Sequence, residues 1–258
     1  MKHIKKRFQF ERFLTEEEKE RLKSKSIEFD KHEGQKIKLE DGFVAVFVTE
    51  TGKHFSAFQH NIGGKKFFIP EPDPVLIYFN NAYLSYRAVE KSKKELIEKL
   101  DIELMDENVK NELYTFFGNS FGFATMLFTS IEAYINRSIP KNHIFRDIKS
   151  NRTEEYDKNQ IERYLSFDVK VKKILNHLKQ KNFSLAHPNK NQHIEHLKEF
   201  RDSIIHTKAN KGKTTPYDYL YKKAFDFKYK ETIESVKNWL NFYESNDYIE
   251  DCDCGNDW

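Results

Sequence analysis

The chain has 258 residues, 38% hydrophobic and 33% charged, with 23 Phe and 13 Tyr, enough for one large domain or two small ones around a real core. Its 44 basic and 41 acidic residues leave a formal charge of only +3, so net charge alone does not mark a nucleic-acid binder. Two cysteines, Cys252 and Cys254, exclude a disulfide framework, and no apolar run is long enough to span a bilayer.

From the N-terminus, MKHIKKRFQFERF lacks the apolar centre and small-residue cleavage site of a signal peptide, so a cytoplasmic protein is expected. FLTEEEKERLKSKS reads as a helix, with Thr15 and Glu18 spaced as a capping box. FVAVFVTE and KHFSAF flank Thr51-Gly52 as a β-hairpin, and KKFFIP after Gly63-Gly64 reads as a further short strand. PEPDP breaks any helix before VLIYF, which reads as another strand. Residues 1–80 are therefore expected to form a small α+β module of unassigned role.

After Asn80-Asn81 the pattern becomes helical. Helices are expected near 84–117, broken near Met105 to Glu107, and then at 119–138, 159–181, 191–207 and 229–245. FGFATMLFTSIEAYINRSI is apolar almost all round, which suits the central helix of a bundle, and Pro140 marks its end. HIFRDIKSNRTEEYDKN reads as a polar, partly ordered excursion. The fold class expected is mainly α, a bundle over 81–245 preceded by the α+β module.

The last segment differs from the rest. Glu244, Asp247, Glu250, Asp251, Asp253 and Asp257 fall in fifteen residues without Lys or Arg, so the remainder of the chain carries the +3 of the whole plus those six charges. The body is basic, and residues 246–258 read as an acidic tail, disordered or bound to a partner. Cys252 and Cys254 have no ligand pair near them for zinc. His187, His193 and His196 cluster, but only the last two share a helical face, and no metal or other cofactor is expected.

The stretch EFRDSIIHTK, Glu199 to Lys208, places an arginine where a core residue belongs. At about 100° per residue, with Ile194 at 0°, Leu197 falls at about 300°, Ile204 at about 280° and Ile205 at about 20°. Arg201 falls at about 340°, inside that stripe, where an unpaired charge would cost several kcal/mol. Asp202 and His206 lie at about 80° and about 120°, one turn apart on one flank, so the carboxylate can reach the imidazole. Beyond His206, TKANKGKTTP supplies Lys208, Lys211 and Lys213, the cationic loop a phosphate-bearing substrate would need.

Arg201-Asp202-Ser203-Ile204-Ile205-His206 resembles the R-x(4–6)-H signature of HEPN domains. Arg137 and His143 also satisfy the loose spacing, but Pro140 interrupts them. FTSIEAYINRSIP is similar to the central helix of such domains, where an acidic residue and an Asn recur on one side; here these are Glu132 and Asn136. The resemblance covers roughly residues 85–245. It implies a helical, usually dimeric bundle and a metal-independent endoribonuclease of toxin–antitoxin or phage-defence type, cleaving RNA by 2′-hydroxyl attack. His206 would then act as base or acid, Arg201 on the phosphorane and Asp202 as orienter. Glu132 and Asn136 would support Arg201, and Lys208, Lys211 and Lys213 would bind RNA. The implied partners are RNA, a second copy completing a composite site, and an antitoxin or defence-system protein, with no membrane. The alternative is a non-catalytic HEPN-like module that binds a nucleotide or a partner.

Overall fold

A computed structural model of the chain describes residues 3–9, 20, 45–48, 54–100, 107–210 and 214–252. The chain divides into two compact units, Lys6–Asp73 and Met1–Lys5 with Pro74–Trp258. The capping box at Thr15 and the turn at Thr51-Gly52 lie outside the described residues.

In the first unit, β1 (Ala45–Val48), β2 (His54–Ile62) and β3 (Lys65–Pro70) form an antiparallel sheet in the order β1-β2-β3. The expected hairpin and third strand are both present. Ile62 pairs with Lys65 across Gly63 and Gly64, whose φ values of 60° and 80° give the left-handed pair that a two-residue turn needs. Phe8 bridges Pro72, and its ring meets Phe55 edge-on at 5.5 Å.

VLIYF is helical, not a strand. Pro74 is the first residue of α1 (Pro74–Leu100), a position where its missing N–H costs nothing, and Val75, Leu76, Phe79, Ala82 and Tyr83 are buried at helical spacing. The boundary between the units therefore falls at Asp73/Pro74 rather than after residue 80. The second helix, α2 (Glu107–Ser138), runs unbroken through Gly118, where the sequence suggested separate helices. Lys99 pairs with Glu112 at 2.7 Å and Tyr86 meets Phe123 at 6.5 Å, so α1 and α2 are antiparallel. Gly122 faces Ser85 at their crossing.

After Pro140 the polar connection is an ordered hairpin, β4 (Phe145–Ile148) with β5 (Thr153–Tyr156). Phe145 and Tyr156 stack above a small cluster of Ile139, Ile161 and Ile174. Asp157 and Gln160 form a capping box that starts α3 (Lys158–Tyr164). Next come α4 (Phe167–Val169), a π-helical segment Lys170–Leu175 and α5 (Asn176–Lys179), closed by Gln180 at φ 51°. The remaining helices are α6 (Phe183–Ala186), α7 (Pro188–Ile205), α8 (Asp218–Asp226) and α9 (Tyr229–Tyr243). The short α8 has no counterpart in the sequence reading.

The core is aromatic. Phe116 stacks on Phe225 at 4.6 Å, Phe200 lies 4.7 Å from Phe227, and Tyr134 meets Trp239 edge-on at 5.6 Å. The Tyr229 hydroxyl donates to the Ala224 carbonyl at 2.7 Å and accepts from the Ser120 hydroxyl at 2.5 Å; burial raises its pKa, so the phenol stays protonated.

The acidic tail is not loose over its described part. Tyr248 and Ile249 are buried, and the Asn241 side chain accepts from the Ile249 N–H at 2.7 Å while donating to its carbonyl at 3.2 Å. Ile4 bridges Asp251, the Lys5 N–H reaches the Glu250 carbonyl at 2.9 Å, and the Cys252 N–H reaches His3 at 2.8 Å. Two apolar side chains outweighed the charge of the segment, and Glu244 and Asp251 meet cations: Lys179 at 3.4 Å and Lys237 at 2.7 Å. Truncation after Ser245 is expected to lower stability by about 3 kcal/mol, the worth of burying Tyr248 and Ile249, in denaturant unfolding. A loss below about 1 kcal/mol would show that the strap does not hold.

Candidate functional site

The site lies at the end of α7. Pro188 opens this helix, and Ile194, Leu197 and Phe200 seat it on the core. Lys198 pairs with Asp168 at 3.1 Å on one flank, and Glu199 with Lys223 of α8 at 3.8 Å on the other. Arg201 follows Phe200 and stands at the margin of the buried stripe, its side chain 27% exposed. The wheel's other assignment is corrected here: Ile205 is 52% exposed, so the buried face turns away before the helix ends.

The arginine is held by three groups. Its guanidinium lies over the Phe128 ring at 5.0 Å, a cation–π contact. Nη2 is 3.6 Å from Glu132 Oε2, and Nη1 donates to Asp202 Oδ1 at 3.0 Å. Residues 128 and 132 are one turn apart on α2, so the ring and the carboxylate share one face. The two carboxylates answer the cost of a charge at the core margin. The expected Glu132 contact is therefore present, whereas Asp202 turns to Arg201; among the described residues no hydrogen bond joins its carboxylate to the His206 ring.

His206 caps α7. Its N–H donates to the Asp202 carbonyl at 3.0 Å, its backbone leaves the helical region at φ −109° and ψ 44°, and its side chain is exposed. An imidazole placed there keeps its ring nitrogens open to a substrate and sits at the negative end of the helix dipole. Four residues lie between Arg201 and His206, and on a regular helix that step is a rotation of about 140° and a rise of about 7.5 Å, which puts the two residues on different flanks of α7.

Lys208 is exposed just beyond. The Tyr219 hydroxyl donates to the Lys208 carbonyl at 3.2 Å and accepts from its N–H at 3.4 Å, and the Asn210 N–H meets the Pro216 carbonyl at 2.9 Å. These bonds fix the two ends of the loop. Lys211 and Lys213 lie outside the described residues. Tyr217 and Tyr221 are partly exposed, and Tyr221 also packs on Phe117 at 4.5 Å.

Asn136 does not reach Arg201. Its Oδ1 accepts from Lys170 Nζ at 3.5 Å, and the same ammonium donates to the Glu162 carbonyl at 2.7 Å. Lys170 is 7% exposed and begins the π-helical segment. Burial pushes its pKa down, while Glu132 and then Glu162 pull it back. Sequence reasoning missed Lys170 because VKVKK reads as a solvated basic face. The only available signal was its apolar neighbours, Val169 and Val171. It also missed Phe128, one of several aromatics on α2. Comparison of the chain with protein-family models, curated proteins and solved structures found no match.

Proposed function

We propose that the chain is a metal-independent endoribonuclease of HEPN type, cytoplasmic and dimeric, acting in a toxin–antitoxin or phage-defence setting. The observation that carries this is Arg201, held on Phe128 by Glu132 and Asp202, with an open imidazole ending the same helix. In the reaction, the His206 ring takes the proton of an RNA 2′-hydroxyl as that oxygen attacks the adjacent phosphorus. Negative charge grows on the non-bridging oxygens, where the Arg201 fork donates to them. The bond to the 5′-oxygen breaks, and that oxygen receives a proton from the imidazolium of a second copy. The products are a 2′,3′-cyclic phosphate and a 5′-hydroxyl. A second copy is invoked because a neutral and a protonated imidazole are needed on opposite sides of the phosphorus, and one chain offers one. Lys208, Lys211 and Lys213 would track the RNA backbone.

Pairing of both Arg201 carboxylates within one chain favours a second reading, a non-catalytic HEPN-like module in which the arginine is structural. Incubation with RNA in excess EDTA separates the two. The enzyme cuts RNA to cyclic-phosphate ends identified by mass spectrometry, and fails at any linkage whose 2′-hydroxyl is replaced by hydrogen. Cutting of the 2′-deoxy linkage, or no cutting of any RNA, removes the nuclease reading. Growth arrest on expression, relieved by H206A, is expected in a cell.

A further inference from the structure

The sheet of the first unit has one packed face and one open face. Strand pairing puts Phe55, Ala57 and Pro70 on the packed side, where Ala57 is buried and Phe8 meets Phe55 edge-on. The other side carries Phe58 opposite Ile69, His60 opposite Phe67 and Ile62 opposite Lys65. There Phe58, Ile62 and Phe67 are 45%, 54% and 38% exposed. The solvent side of an antiparallel sheet ordinarily alternates to polar residues, so three large apolar side chains together call for an occupant. Among the described residues, no aromatic ring packs against Phe58 or Phe67, and neither Lys65 nor Lys66 has a carboxylate partner.

The chemistry of the face selects that occupant. From His54 to Pro70 the chain carries His54, His60, Lys65 and Lys66 and not one Asp or Glu, although the whole chain has 41 acidic residues. A purely apolar partner would need no such bias. A face that is aromatic and cationic, without carboxylates, suits a polyanion that brings flat rings of its own. Single-stranded nucleic acid is that ligand, because its bases stack on aromatic side chains and its phosphates are drawn to nearby cations. A duplex is not, since its bases are already stacked on one another. Phe58 and Phe67 are diagonal neighbours on adjacent strands, about 7–8 Å apart at the backbone, which leaves each ring free to take its own base. Lys65 stands on the same face, one row beyond Phe67.

We propose that the open face of β2 and β3 is a platform for single-stranded RNA, with Phe58 and Phe67 each stacking one base and Lys65 meeting a phosphate. That the strand is RNA rests on the ribonuclease reading; the stacking does not. The first unit thereby gains a role, the grip on substrate.

The test uses the full chain carrying H206A, so that bound RNA is not cut, with a fluorescein-labelled oligouridine and anisotropy in EDTA. F58L and F67L keep an apolar side chain on the sheet but remove the ring. Each is expected to weaken binding about tenfold, and the two together more than either alone. F58W should bind as the parent does and show a quench of tryptophan emission on adding oligouridine beyond any seen in the parent. An RNA duplex should bind the parent and the leucine variants equally. Unchanged oligouridine binding in the F58L/F67L chain overturns the proposal, as does a parent that binds no oligouridine. An equal loss on the duplex also overturns it, because stacking would then not be what was removed. So does a parent dimer that dissociates in the variants while RNA affinity stays, which gives the face to a second copy. Should F58L/F67L not fold, F58W decides: bound oligouridine without the added quench sinks the platform. Cleavage by the wild-type chain in EDTA is a separate readout. A wild type that cuts RNA while F58L/F67L binds like its parent keeps the nuclease and loses the platform; an inactive wild type whose binding depends on both rings does the reverse.

Discussion

Replacing His206 by Ala is expected to reduce RNA cleavage by about 10² to 10⁴-fold, the span of general acid–base catalysis, and to leave thermal unfolding unchanged. The second half follows from geometry: the ring is exposed, and the residue's structural bond is made by its backbone N–H to Asp202. Arg201→Ala should lose about 10² to 10³-fold, and should also cost some stability, since the guanidinium covers Phe128. Arg201→Lys is not expected to restore the rate, because an ammonium lacks the fork that meets a phosphate and a carboxylate together. Single-turnover cleavage of a labelled RNA in EDTA measures all three. Mixing the Arg201→Ala and His206→Ala chains adds a further reading, for a composite site regains part of the activity in mixed dimers, whereas a site built within one chain does not. Wild-type rates in His206→Ala would remove this residue from the mechanism.

How far the sequence carried the reading depended on whether one signal stood alone. The β2–β3 connection was legible because Gly63-Gly64 fits one turn chemistry. VLIYF was not, since five apolar residues satisfy a buried strand and a helix equally, and the deciding feature was Pro74 as a first helical residue. The strap at residues 246–252 was hidden for the opposite reason: its charges dominate the composition, while Tyr248 and Ile249 do the packing. At the site, periodicity alone located Arg201 against the apolar stripe, and the one-turn spacing from Phe128 explains the contact with Glu132. Asn136 was placed with Arg201 through the HEPN resemblance, as the partner of Glu132 one turn on, but a lysine from the π-helical segment takes it. Nothing local in the sequence announces a π turn, so the partner could be found only after the helices were assembled.

The largest stability effect near the site belongs to Phe200, not to any charged residue. Its ring is fully buried, 4.7 Å from Phe227 and edge-on to Phe121 at 6.3 Å, so it fastens α7 to both α2 and the connection between α8 and α9. Phe200→Ala is expected to cost about 3–5 kcal/mol by lost transfer energy and the cavity left behind, lowering Tm by roughly 10 °C. Cleavage should fall further than the folded fraction does, because Arg201 is the next residue and its hold on Phe128 depends on where α7 sits. Ile205 provides the contrast. The helical wheel puts it on the same stripe, but it is half exposed, so Ile205→Ala should change the stability of a single chain by less than about 0.5 kcal/mol. Denaturant unfolding at two protein concentrations separates the cases. A Phe200→Ala loss that is large at both, with an Ile205→Ala loss that appears only where chains associate, places the first side chain in the core and the second against another copy. An Ile205→Ala loss that is large and independent of concentration would instead return that residue to the core and remove the support it lends to a dimer face beside Arg201.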